Sequence, residues 1–250
     1  MTAALGMYDM PALQAANDRF WDLIRSNLGH GPSRLSRERD MWQVWSDPNL
    51  VLAQTCGMPY RTRLHGQVHL VGTPDYGLPD CPPGYYCSVI VARASDPRDL
   101  PALVRGTFAF NDALSQSGWA APVTHMSALN LTLASVRETG SHAASARAVA
   151  DGAADFAALD ALTWLMLKRH TDLGAELRDV CSTDPTPALP YITAMGQEPA
   201  RVADAVQRAI TDLAHQDRKT LHIQELIPIP ADFYLAVPTP PGPEAIGSKT

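Results

Sequence analysis

The stretch AFNDALSQSGWAAP, Ala109 to Pro122, carries the residue types of an anion cradle. An apolar run gives way to Asn-Asp, then to Ser115, Gln116, Ser117 and Gly118. Cap-type hydroxyls at the start of a helix offer backbone N–H groups at the positive end of the helix dipole. That combination holds phosphate, sulfate or carboxylate without a fixed cation. Gly118 permits close backbone approach. Serine is equally a favoured N-cap, so ordinary capping explains the same residues.

ETGSH, Glu138 to His142, has the same form. Thr139 and Ser141 are cap types, and His142 sits in the first turn of the next helix. A protonated His there donates to an anion, although the dipole disfavours its charge. The two motifs lie roughly 25 residues apart within an alternating strand–helix pattern, which raises the odds of a shared pocket. In ADFAALDALTW, Asp160 and Thr163 fall where a strand becomes a helix. Asp160 can accept from a ligand amine or hydroxyl, or cap the helix, and Trp164 reads as core.

In the first half, Tyr8, Asp9, Trp45, Gln54, Thr55 and Tyr85 are candidates for an opposing wall. Each also has a reading as turn chemistry. Ser117, His142 and Asp160 supply the types of a hydrolytic triad, but no G-x-S-x-G elbow accompanies them. Cys56 has no sequence-linked His or Asp partner.

These residues need elements to position them. The N-terminal Thr2 to Met7 reads as a short strand. A helix is expected from about Pro11 to Leu28, and a strand over Leu50 to Thr55. A helical turn follows over Pro59 to Leu64, with further strands in VHLVGTPDY and YYCSVIVARA. The second set runs DPRDLPALVRG (helix), TFAFND (strand) and Ser115 to about His125 (helix). It continues with LTLASVRETG (strand), Ser141 to Ala150 (helix), ADFAALD (strand) and Ala161 to Lys168 (helix). LRDVCSTDP and PYITAMG are strands, and Pro199 to His215 is a long helix. The tail PTPPGPEAIGSKT is proline-rich and expected to fray. This alternation predicts an α/β fold with mostly parallel sheets, in which ligands bind beyond the carboxyl ends of strands.

The chain has 250 residues, of which 46% are hydrophobic and 18% charged, with a net charge of −6. It is long enough for one large domain or two lobes. No basic block points to nucleic acid. No apolar run reaches the ~18 residues of a membrane span, and the first residues do not read as a signal peptide. Cys56, Cys81, Cys87 and Cys181 match no zinc spacing. Their even number permits a disulfide, with the loop residue Cys81 the natural member, or four thiols. No cofactor and no metal is expected.

The stretch from Tyr85 to Trp164 resembles the phosphate/phosphite/phosphonate substrate-binding proteins of ABC transporters. Two motifs carry the resemblance: F-N-D-x-x-S-x-S-G from Phe110 to Gly118, and G-S-H-x-x-[AS]-x-x-A-V-x-x-G-x-A-D from Gly140 to Asp155. The resemblance implies a two-lobe type II periplasmic-binding-protein fold with ligand between the lobes. Lobe 1 would be residues 1–92 plus 193–250, and lobe 2 residues 93–192. By motif, Ser115, Gln116 and Ser117 match the anion-binding loop and His142 the histidine of GSH. Gln116 stands where threonine is common. Asp160 falls near a carboxylate that meets an amino group in some members. Tyr8 and Thr55 are placed at the cleft by position only.

The implied function is capture of a small oxyanion for an ABC transporter permease, without enzymatic activity. A cytoplasmic enzyme or sensor on the same fold, or a binding protein for another metabolite, is the alternative. The location is periplasmic if a signal peptide has been removed, and cytoplasmic otherwise. A Cys56–Cys81 bridge tying two loops of lobe 1 would fit export.

Overall fold

A computed structural model describes residues 1–246. Twelve strands organise the described residues: β1 (Thr2–Ala4), β2 (Leu50–Gln54), β3 (Val68–Asp75), β4 (Tyr85–Tyr86), β5 (Ser88–Arg93), β6 (Thr107–Phe110), β7 (Ser135–Glu138), β8 (Phe156–Asp160), β9 (Leu177–Ser182), β10 (Thr186–Pro187), β11 (Tyr191–Ala194) and β12 (Glu225–Ile227). They form two five-stranded sheets and one two-stranded sheet.

The chain divides into two compact units. Unit 1 is Met1–Tyr85 with Pro187–Ala236; unit 2 is Tyr86–Thr186 with the tail that starts at Val237. The crossings expected at Ala92 and Ile192 fall inside β5 and β11. Both strands are held on two sides by hydrogen-bonded neighbours, so a boundary there would cut a sheet. The expected assignment of the tail to the first unit is also corrected. Trp119 Nε1 donates to Pro241 O at 3.0 Å, and Ile246 packs on the core of unit 2. The described part of the tail is therefore anchored; residues 247–250 lie outside the described residues.

Unit 1 carries the sheet β1-β2-β11-β3-β12. All five residues of β2 are buried, as expected for a strand covered on both faces. The helix Gln14–Leu28 stops at Gly29, whose φ of 76° suits glycine and whose N–H returns to Arg25 O. It packs on the helix Pro199–Asp212, and Arg201 Nη2 donates to Leu28 O. That second helix ends before Leu213, and a separate helix covers His215–Leu221, where one helix had been expected. The helices Met41–Trp45 and Ala231–Leu235 and the strand β12 were not anticipated. Asp40 caps the first of these by accepting from Trp42 N and Gln43 N.

Unit 2 carries β7-β6-β8-β5-β9. The expectation of mostly parallel sheets is corrected here. β6 runs parallel to both β7 and β8, but β5 runs antiparallel to β8 and β9. In unit 1 only β1 and β2 are parallel, and β11 is antiparallel to both its neighbours. β5 brings the chain into unit 2, and β11 brings it back into unit 1. Neither is reached through a crossover helix within its own sheet, so neither is bound to the parallel direction. The core of unit 2 joins Phe108, Phe110, Trp119 and Phe156, with ring centroids 4.8 to 6.4 Å apart. No disulfide joins the four cysteines, which corrects the expected Cys56–Cys81 bridge. Sequence cannot show the Cα separation that a bridge requires.

Candidate functional site

Because β6, β7 and β8 are mutually parallel, their carboxyl ends share one edge of the unit 2 sheet. Three segments follow those ends: Asn111 to Gly118, Thr139 to His142, and the helix that begins at Ala161. β5 runs the other way, so its first residue, Ser88, lies on the same edge opposite Asp160.

Ser115, Gln116 and Ser117 are all buried. Ser115 has extended backbone and caps the helical segment: its Oγ accepts from Gly118 N at 2.9 Å. The segment opens as a π-turn, Gln116–Ala120, and continues as the helix Ala121–Ala128. The first N–H groups of such a segment have no partner within it. Gly118 is required by packing, since a Cβ there would lie 1.7 Å from Asn111 Oδ1. We expect Gly118→Ala to turn Asn111 out of place, displace the loop and weaken ligand binding by at least about tenfold, at a stability cost of about 1–3 kcal/mol. Binding and melting temperature measured alongside Gly118→Ala/Asn111→Ala check this. If the double variant recovers nothing, the contact with Asn111 is not the cause.

The two motif segments meet directly. Ser117 Oγ and His142 Nε2 are 2.9 Å apart. Burial lowers the His142 pKa to about 4, with the Ala158 backbone acting against the shift, so the ring is neutral at neutral pH. Its Nδ1 is buried without a hydrogen-bond partner. No carboxylate therefore orients this imidazole, and the arrangement lacks the third member of a triad. Asp160 is 2% exposed and its Oδ1 accepts from Thr163 N at 2.9 Å, capping the helix Ala161–His170. Ser141 is exposed, and its Oγ accepts from Ala144 N as an N-cap. Trp164 is core, with Nε1 donating to Asp179 Oδ1.

Buried side-chain atoms without partners cluster at this edge. Three of them belong to unit 2: Ser88 Oγ, Asn111 Oδ1 and His142 Nδ1. All three come from residues at, or within a few residues of, the strand ends on this edge. Buried polar groups are nearly always paired, so a cluster of exceptions calls for a ligand, a water or a strained function. Ser88 and Asn111 carried no signal of their own in the sequence beyond Asn111's place in the FND motif.

In unit 1 the expected wall residues separate. Tyr8 ends a 3₁₀ turn after β1 and is half-buried, its ring edge-on to Tyr76 at 5.3 Å. Thr55 is fully buried after β2, with its hydroxyl turned to Cys56 O. Trp45 belongs to the core cluster and spends its N–H on Gln54 O at 3.0 Å. Its indole donor is thus committed inside unit 1. Gln54 Nε2 donates to Tyr76 Oη and to Leu189 O. Burial pushes the Tyr191 hydroxyl well above its usual range, with Tyr76 acting against the shift. A cavity of about 20 Å³ lined by Tyr8, Asn17, Gln54, Tyr76 and Tyr191 has room for one water. The Tyr76–Tyr191 pair was not anticipated.

Two units, each a mixed sheet flanked by helices, with cap-type residues gathered at strand ends, define the two-lobe α/β class of periplasmic binding proteins. PhnD1 from Prochlorococcus marinus, solved with methylphosphonate, superposes with a TM-score of 0.75 at 16% identity over 99% of this chain and 96% of its own. XAC2383 from Xanthomonas citri, bound to chloride ion, gives 0.70 at 17% identity over 94% and 97%. A binding-protein component of an ABC phosphonate transporter from Pseudomonas aeruginosa gives 0.71 at 13% identity over 93% and 82%. At these identities the likeness establishes the fold. No curated protein matches the sequence. The family described as ABC transporter, phosphonate, periplasmic substrate-binding protein matches residues 52–229, and the chain belongs to that family. It is a family of transport proteins that bind substrate, and this protein is not an enzyme. Among the described residues no helix is long and apolar enough to cross a membrane.

Proposed function

We propose that this protein captures a small tetrahedral oxyanion of the phosphonate, phosphite or phosphate type and delivers it to the permease of an ABC transporter in the periplasm. The anion would be held by the loop of Ser115, Gln116, Ser117 and Gly118 together with His142. The observation that carries this reading is the 2.9 Å contact between Ser117 Oγ and His142 Nε2, which joins the two cap motifs into one polar surface. With the ring neutral, affinity comes from hydroxyls and helix-terminal N–H groups. The methylphosphonate held by PhnD1 is of the class expected here. Asp160 would face a cationic substituent, so an amino-bearing phosphonate is part of the proposed range.

Calorimetric titration against phosphate, phosphite, methylphosphonate and 2-aminoethylphosphonate tests the proposal, and heat with none of them removes it. With whichever ligand binds, Ser117→Ala is expected to weaken affinity by about tenfold, the worth of one hydrogen bond to a charged group. Its melting temperature should fall little. Unchanged affinity puts Ser117 outside the pocket.

A further inference from the structure

Trp119 belongs to the same π-turn as Gln116 and Ser117, and it is fully buried. Its backbone helps close that turn: Trp119 N and Ala120 N both donate to Ser115 O, at 3.2 and 3.0 Å. Its ring centroid lies 4.8 Å from that of Phe110, the last residue of β6. Phe110 O in turn accepts from Thr139 N at 2.9 Å and from Thr139 Oγ1 at 3.0 Å, which ties the segment of His142 to the end of β6. One side chain is thus joined to both segments that meet at Ser117 and His142. Its indole N–H is a donor that burial obliges the fold to satisfy. The acceptor is Pro241 O at 3.0 Å, 122 residues further along in the C-terminal tail. Ile246 anchors the same tail on the core cluster that holds Phe108, Phe110 and Trp119. A 3₁₀ turn, Pro243–Ala245, separates the two contacts, with Ile246 N donating to Pro243 O at 3.0 Å. Pro238, Pro240, Pro241 and Pro243 pre-set the backbone, so this segment loses little entropy when it docks.

We infer that residues 237–246 are a strap that positions the oxyanion loop, with Trp119 the positioning residue through which the strap acts. This rests on the oxyanion reading above and adds a segment outside both motifs to what sets the affinity. A tryptophan whose N–H is held by a fixed acceptor keeps one ring position. Released, its N–H turns to water and the ring samples other rotamers. The turn that carries Ser117 moves with it, because Trp119 N is one of the bonds that close the turn. Hydrogen bonds weaken steeply as their geometry drifts, and the Ser117–His142 contact at 2.9 Å is one of them. A loop already held in its binding geometry also avoids the cost of being ordered when ligand arrives.

The test uses the full chain with Ile246→Asp, with Trp119→Phe and with the two combined. Ile246→Asp loosens the anchor without altering any residue of the loop. Trp119→Phe removes the N–H and leaves an aromatic ring against Phe110. Affinity for phosphate, phosphite and methylphosphonate is measured calorimetrically well below each melting transition, so that lost folding does not enter. Each single variant is expected to weaken whichever of the three binds by about fivefold, and the double variant by less than about tenfold, because both act along one route. Exchange of the Trp119 indole N–H with solvent, followed by NMR in the ligand-free chain, should be slow in wild type and fast in Ile246→Asp. Single variants that melt lower yet bind within about twofold of wild type make the tail a stabiliser of unit 2 alone and overturn the strap. A double variant about 25-fold weaker, the product of the singles, overturns the route through Trp119. A fast-exchanging indole in wild type overturns the contact itself. A wild type that binds none of the three anions overturns the oxyanion reading, and the strap's part in binding with it. The indole exchange, read without ligand, tells that failure apart from an undocked tail.

Discussion

Between pH 6.5 and pH 4 the wild-type protein loses about 3 kcal/mol of folding stability that His142→Gln keeps. In the folded chain the ring sits half-buried with Nδ1 unpartnered, and burial lowers its pKa from 6.5 to about 4. The unfolded chain takes up a proton as pH falls below 6.5, while the folded chain refuses it until about 4. Stability is thus fully present above the unfolded value and is lost as pH falls toward the folded one. At about 1.4 kcal/mol per pH unit, the interval gives the figure stated. Glutamine retains an uncharged donor and acceptor and has nothing to titrate. Its baseline falls because it fills the ring's space poorly, so the quantity to compare is the slope against pH, not the height. Urea unfolding at neutral pH and at about pH 5.5 and 4.5 supplies it. Parallel slopes for the two proteins would mean that His142 is charged when folded.

The paired carboxylate of Asp96 lies below this window. Hydrogen bonds from Arg98 hold Asp96 at about 2, against its ordinary 3.8. Its contribution is present above 3.8 and disappears only as pH falls from there through 2. For the same reason, ligand affinity near neutral pH should not follow a histidine titration. Any dependence there belongs to the ligand's own protons.

Much of unit 2 was legible in the sequence. Short β-branched and aromatic runs alternate there with capped helices, and the parallel β6, β7 and β8 bring the cap motifs to one edge. Ser117 and His142 meet for that reason. Strand direction was not legible for β5 and β11, because a run such as SVIVAR reads alike in either direction. For Trp45 the sequence left two readings open, because an aromatic ahead of a strand fits a core as well as a pocket wall, and the residue belongs to the core cluster of unit 1. The unpaired hydroxyl of Ser88 could not have been found. A lone serine in a strand shows nothing of its partners until its register against Asp160 and Thr183 is known. Asn111 is similar: its packing against Gly118 depends on how two turns fold onto each other.

The largest loss of stability at a single carboxylate is expected at Asp155, at the other end of the same strands. Asp155 precedes β8, and its two oxygens do different work. Oδ1 accepts from Arg98 Nη2 at 2.6 Å, and Oδ2 accepts from Thr107 N, at the start of β6, at 2.8 Å. Arg98 also pairs with Asp96, and Arg93 Nη2 approaches both carboxylates. Gly106 leaves the space this requires, since a Cβ there would lie 2.3 Å from Asp155 Oδ2. Asp155→Ala removes the acceptor for a strand N–H and half the partners of Arg98 in one step. The side chain is 28% exposed, so water recovers part of the loss. What remains is about 2–3 kcal/mol, or a fall in melting temperature of roughly 4–12 °C. Asp155→Asn keeps an oxygen for Thr107 N and should lose less, because only the acceptor and charge facing Arg98 are gone. Neither variant should change ligand affinity where the protein is folded, because β6 and β8 carry the candidate site at their opposite ends. Calorimetric melting of both variants, with titration at a temperature well below either transition, separates the two effects. If Asp155→Ala melts within about 1 °C of wild type, the Thr107 N–H has found water or another acceptor, and the carboxylate does not anchor β6.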